Sequence, residues 1–120
     1  MNNKQIGTAF EKESCELLAR KGYWVHFIVP DARGAQPFDI VAVKRSRAMA
    51  FDCKTCVSDT FNISRLEDNQ IMAFEKWMRC QNSTPYVAIK HKGNVYIVPY
   101  TRLKEKQSVR IKELPSDEIL

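Results

Sequence analysis

Two acids and a lysine lie in two short apolar runs, Asp39-Ile40-Val41-Ala42-Val43 and Phe51-Asp52-Cys53-Lys54, where ionisable groups are costly to bury. Two carboxylates at such positions can share one divalent cation, and a lysine ammonium beside them can reach the same ligand. Both runs are rich in Val, Ile, Ala and Phe and read as strands, with Lys44 to Arg47 as the turn between them. Alternate residues share a face, so Asp39 lies with Val41 and Val43, and Asp52 with Ala50 and Lys54. A two-residue turn at Ser46-Arg47 pairs Arg45 with Ala48, which sets Asp39 opposite Lys54 and Val41 opposite Asp52. All three charges then share one face, with opposed Cβ atoms roughly 5 Å apart. A one-residue slip would send Asp39 to the other face. The alternative is a structural salt bridge at the rim of a sheet. Three charges converging inside apolar strands favour a site, since unpaired buried charge is rarely kept without a cation or a function.

Helices must complete this constellation. Residues 3 to 21 have helical periodicity, with Ile6, Phe10 and Leu17 on one line and Glu11, Cys15 and Leu18 on its neighbour. Glu11 therefore extends an apolar stripe and can reach a metal on the adjacent sheet, or it simply sits half-exposed near the positive end of the helix dipole. Glu13 and Glu16 look outward. Gly22 stops the helix, and Tyr23 to Val29 reads as the first strand. A second helix is expected from Ser64, with Glu67 at the capping-box spacing. Its core-facing line is Leu66, Gln70, Ala73, Phe74 and Trp77, in which the Gln70 amide must find a partner. It either serves the site, at the lysine, a water or a phosphate, or satisfies a stray backbone group. Tyr86 to Lys90 and Asn94 to Val98 form a hairpin across Lys92-Gly93.

That order of elements resembles the PD-(D/E)xK nuclease superfamily and, within it, the archaeal-type Holliday junction resolvases. The likeness runs over Gly7-Thr8-Ala9-Phe10-Glu11, Gly22-Tyr23-Trp24-Val25, Gly34, Phe38 to Ala42, Phe51 to Lys54 and Pro85 to Lys90. Two departures stand out: Pro37 does not abut Asp39, and Asp52 replaces the usual glutamate, which could shift the metal by about one methylene. The resemblance implies an α/β fold, a restriction-endonuclease-like αβββαβ core with a central mixed sheet flanked by helices. It implies a metal-dependent, structure-selective DNA endonuclease that hydrolyses phosphodiester bonds, a Holliday junction resolvase of recombination or repair. Asp39, Asp52 and the Cys53 carbonyl would hold Mg²⁺ or Mn²⁺, with Glu11 completing the site. Lys54 would orient or help deprotonate the attacking water and counter charge on the phosphate. A homodimer with two active sites is implied as well. The alternatives are a restriction-like or repair nuclease acting on duplex ends, nicks or flaps, and a DNA-binding module that has lost activity.

Nineteen Lys and Arg against fourteen Asp and Glu give a net charge of +5, which favours a polyanionic partner, branched or duplex DNA. Arg33 in a loop, Arg45 and Arg47 at the hairpin, Arg65 at the start of the second helix and Lys90 near the last turn are the candidate DNA contacts, with Arg33 and Arg65 foremost; solvated surface charge is the alternative for each. The chain reads as one compact nuclease-like domain over residues 1–104, followed by a charged tail over 105–120 with a weak strand candidate at Val109-Arg110-Ile111. No apolar segment approaches the ~20 residues that span a bilayer. The opening residues lead into a helix without a signal-peptide core, so a cytoplasmic protein is expected. Four cysteines include Cys53-x-x-Cys56, but no second pair follows and Cys53 alternates away from Asp52, so buried small residues account for them better than zinc. Core packing is the expectation for His26 and solvent exposure for His91.

Overall fold

A computed structural model describes residues 2–28, 38–80 and 82–114, apart from the side chains of Asn3 and Lys4. Helix α1 (Asn3–Arg20) opens on a capping box: the Asn2 side chain accepts from the Gln5 N–H at 2.8 Å, and the Gln5 side chain accepts from the Asn2 N–H at 2.9 Å. It closes with Gly22 at φ +92°, where the Gly22 N–H reaches Ala19 O and the Tyr23 N–H reaches Leu18 O. This pair of bonds makes a Schellman turn, which needs a residue that tolerates the left-handed region.

The chain then runs through β1 (Trp24–Phe27), β2 (Ile40–Lys44), β3 (Arg47–Thr55), β4 (Thr60–Asn62), α2 (Asp68–Arg79), β5 (Tyr86–His91), β6 (Asn94–Pro99), α3 (Tyr100–Lys106) and β7 (Ser108–Arg110). Five strands form a sheet in the order β1-β2-β3-β5-β6, and β4 pairs with β7 in a second, two-stranded sheet. All neighbours in the large sheet are antiparallel except β3 and β5, which the crossover through α2 makes parallel. The expected αβββαβ core and its mixed sheet are therefore present.

Strand β3 shows why both faces needed apolar residues. Met49 and Phe51 pack with Ile40, Ala42, Phe10 and Leu18 under α1, while Ala50 packs with Phe74, Val87, Ile89, Tyr100 and Leu103 under α2 and α3. A strand covered on both sides reads as a continuous apolar run, so Asp52 and Lys54 interrupt one that the core would otherwise favour.

Several expectations change. The β2–β3 turn is Arg45-Ser46, both at positive φ (52° and 64°), the conformation of a type I′ hairpin, without the Asn or Gly that usually signals it. Lys44 pairs with Arg47 and Ile40 with Phe51, so the register differs by two residues from the expected one. A two-residue shift preserves faces, and Asp39 remains on the side of Asp52 and Lys54.

The expected boundary after residue 104 falls inside α3, and the expected tail is in part core: Ile111 is fully buried and Val109 nearly so, both packed with Leu103 of α3. Gln107, at φ 68°, reverses the chain so that Phe61 pairs with Val109. Charged residues between these few apolar ones mask the pattern in the sequence. His26, expected in the core, is exposed on edge strand β1 and stacks on Trp24 at 6.0 Å, and Trp24 itself is 63% exposed. His91, expected in solvent, is buried, with Nδ1 at 2.9 Å from Cys56 O. The cysteines are free; Cys56 is buried, but Cys80 is exposed and is not a core residue.

Candidate active site

Phe38 sets the first acid in place. It is buried, stacks on Phe74 at 5.6 Å and meets Trp77 edge-on at 5.3 Å, which ties the entry of β2 to α2. Asp39 follows, with its N–H donating to Phe51 O at 3.0 Å and its carbonyl accepting from the Ile28 N–H at 2.8 Å. Its Oδ2 accepts from the Cys53 N–H at 2.8 Å, so the carboxylate lies across β3 directly beside Asp52 and Lys54. Asp39 is 8% exposed and Asp52 only 2%.

The electrostatics show what the pair lacks. Burial, then the charge of Asp39, pushes the Asp52 carboxyl up from 3.8 to about 7, against the opposing pull of Lys54. Glu11, half-buried on α1, is raised from 4.5 to about 7 by burial and again by Asp39. Three acids thus share one region of low solvation, and Lys54 does not compensate them. Asp52 Oδ2 is buried with no hydrogen-bond partner among the described residues. An orphaned, buried carboxylate oxygen beside two further acids is the environment a divalent cation relieves, and hard oxygen donors suit Mg²⁺ or Mn²⁺. The residues fit such an ion, although among the described residues no three His, Cys, Asp or Glu side chains close into a ready-made metal cage.

Glu11, Asp39, Asp52 and Lys54 are therefore brought to one end of the sheet, and the Cys53 N–H supports them. The Cys53 side chain points the other way, toward Ser14 of α1, where burial holds its thiol well above its usual range. Gln70 is different. Helix α2 begins three residues later than expected, with Glu67 as its cap, and the Gln70 carboxamide oxygen accepts from the Glu67 N–H at 2.9 Å. That bond supplies the partner its position demanded, and it is structural. Glu67 adds a residue that sequence reasoning treated as a cap alone: its charge also reaches Asp52 and raises it.

The expected DNA contacts divide. Arg65 is exposed beside the site, its guanidinium donating to Thr55 O at 2.8 Å and lying 5.5 Å from the Phe61 ring. Arg45 and Arg47 cap the opposite end of the hairpin, about 17 Å of strand away from Asp39 at 3.3 Å per residue, and so leave the immediate site. Lys90 is engaged by both carboxylate oxygens of Glu13, which therefore does not look outward as expected. Glu16 does, in a loose exposed pair with Arg20. Arg33 lies outside the described residues.

The family model for archaeal Holliday junction resolvases (Hjc) matches residues 2–118. The chain belongs to that family. It is similar to the crossover junction endodeoxyribonuclease Hjc of Methanocaldococcus jannaschii, with 27% identity over 92 residues covering 77% of this chain. The matched segment spans 64% of that relative's length. The 1.6 Å structure of Hjc from Archaeoglobus fulgidus, described as a Holliday junction resolvase from an archaeal hyperthermophile, superposes with a TM-score of 0.64 at 22% identity, covering 79% of this chain and 78% of that one. The resolvase family belongs to the restriction-endonuclease-like nucleases, whose αβββαβ core this chain has.

Proposed function

We propose that the chain is a Mg²⁺- or Mn²⁺-dependent endonuclease that resolves Holliday junctions, acting in the cytoplasm as a homodimer with two active sites. The observation that carries this reading is the buried Asp39–Asp52 pair, with its orphaned Oδ2 and with Lys54 on the same face, in a chain of the resolvase family. Asp39, Asp52 and the Cys53 carbonyl would hold the cation, and Glu11 would complete the set. When bound, the cation supplies Lewis acidity toward the scissile phosphate and toward water. Asp39 and Asp52 provide the negative charge that fixes it, and Lys54 orients the attacking water and offsets charge building on the phosphate. Hydrolysis forms one P–O bond to the water oxygen and breaks the ester P–O bond to the leaving deoxyribose. Arg65, whose guanidinium donates to Thr55 O at the end of β3, would hold a backbone phosphate next to the cut, and Arg33 in the 29–37 segment is a second candidate. Among the described residues no helix is long and apolar enough to cross a membrane.

Nicking of a synthetic four-way junction, compared with linear duplex of equal length and with divalent metal as the variable, tests the reading. Metal-dependent cutting of the junction alone supports it. Equal cutting of both substrates points to a repair or restriction-like nuclease, and binding without cutting to an inactive module.

A further inference from the structure

We propose that Glu13 and Lys90 act as a positioning pair that fixes the roll of α1 over the sheet and so sets Glu11 against Asp39 and Asp52. The proposal rests on the metal-site reading above. Its starting point is helix geometry. Phe10, Ser14 and Leu18 form the buried ridge of α1. At about 100° per residue, Glu11 lies about 60° to one side of that ridge and Glu13 about 100° to the other. The sheet receives them on separate strands. Glu11 is felt by Asp39 at the start of β2, while Glu13 holds Lys90 on β5, and β3 runs between the two. Helix α1 straddles β3, with one acid hanging over each side.

Phe10 and Leu18 anchor this helix in the core, but one flank of its site end is thinly packed. The middle of its ridge is Ser14, a small side chain, and Ile6 one turn before Phe10 is 41% exposed. Beside the ion pair lies a cleft of about 190 Å³ lined by Ile6, Ala9, Phe10, Glu13, Thr55 and Lys90. Close-packed side chains are therefore missing on that flank. The Lys90 ammonium, engaged by both Glu13 oxygens, supplies the constraint in their place. The far end of the helix has its own tether, since Lys44 Nζ donates to Lys21 O at 2.6 Å. Removing the Glu13–Lys90 contact lets the site end turn about that anchor, which carries Glu11 away from the two aspartates.

Calorimetric titration of Mn²⁺ into metal-free protein tests this in wild type, Glu13→Gln, Lys90→Met and the charge swap Glu13→Lys/Lys90→Glu. Half-buried ion pairs contribute modestly, so each single variant is expected to bind Mn²⁺ about 3- to 5-fold more weakly, and the swap to return to within about 2-fold of wild type. Single variants that bind Mn²⁺ as wild type does overturn the proposal, and so does a swap no better than the singles. If the single variants fail to fold, the swap alone decides: wild-type affinity supports the pair, and weakened affinity refutes it. Loss of junction binding in Lys90→Met with unchanged Mn²⁺ affinity assigns Lys90 to DNA and also refutes it. Wild-type protein that takes up no Mn²⁺ would sink the metal-site reading itself, a result distinct from unchanged variants of a metal-binding protein.

Discussion

The raised carboxyls at the site make the metal-free protein sensitive to alkali, and the size of the effect can be worked out. An acid whose pKa is higher in the folded than in the unfolded chain stabilises the fold below its unfolded value and loses that contribution as pH rises through the folded value. For Asp52 the window runs from 3.8 to about 7, and for Glu11 from 4.5 to about 7. A shift of that size at Asp52 alone corresponds to about 4 kcal/mol. Because the neighbouring Asp39 charge supplies part of that shift, about half of it is a conservative expectation. Only the two pH units between 5 and about 7 fall inside the range from pH 5 to pH 8, about 3 kcal/mol before halving, so thermal unfolding in EDTA should show Tm falling by about 6 °C over that range, taking about 4 °C per kcal/mol for a domain of this size. Asp52→Asn removes the titrating group while keeping its shape, so its Tm should change much less over the same range and exceed that of wild type at pH 8. Mn²⁺ at a hundredfold over its dissociation constant should restore about 2.7 kcal/mol to wild type at pH 8 and much less to the variant. A wild-type Tm that is flat from pH 5 to 8, or an Asp52→Asn slope equal to that of wild type, would refute the reasoning.

Asp52→Asn should also abolish junction cleavage while preserving junction binding, measured by gel shift in Ca²⁺, because it removes a proposed metal ligand without adding bulk. Gln70→Ala should cost about 1 kcal/mol in denaturant melts through loss of the Glu67 cap, and the folded enzyme should keep its cleavage rate; a selective loss of rate would return Gln70 to the site. Arg65→Ala should weaken junction binding and lower the slope of log affinity against log salt by about 1, whereas Arg45→Ala should leave cleavage near wild type. Phe38→Ala should destabilise the fold by about 3–5 kcal/mol and weaken metal binding as well, since the ring anchors the segment that presents Asp39.

What the sequence made legible follows from what each signal depends on. The grouping of Asp39, Asp52 and Lys54 survived a wrong turn assignment because face depends only on the parity of the register, and the true hairpin differs by two residues. The turn itself was hidden because Arg45 and Ser46 take up positive φ without glycine or asparagine; the second hairpin, at Lys92-Gly93, carries its glycine and was readable. Gln70 was conspicuous as a polar residue on an apolar line, yet the same spacing fits a cap if the helix starts at Glu67, and helix starts are the least determinate feature of a sequence. The C-terminal β7 was faint because its stability is tertiary: Val109 and Ile111 matter only once Phe61 and Leu103 are beside them.

Charge was the least legible property, for a physical reason. A basic residue in a sequence is a free cation until the fold gives it a partner, and the partners here come from distant segments. Glu13 lies 77 residues from Lys90, and Arg65 finds a carbonyl ten residues away. The net charge of +5 therefore overstates the basic surface available next to the site. Lys90 is neutralised by Glu13, and Lys54 faces a group of acids of which Asp52 and Glu11 are held up near 7, so the site end turns increasingly negative above neutral pH in the absence of metal. DNA would be repelled from the cleavage centre until a cation is bound, so metal and junction should bind cooperatively. The dissociation constant for a junction bound by catalytically inert protein should fall as Ca²⁺ is raised, and an affinity independent of Ca²⁺ would show that the phosphate grip lies elsewhere on the molecule.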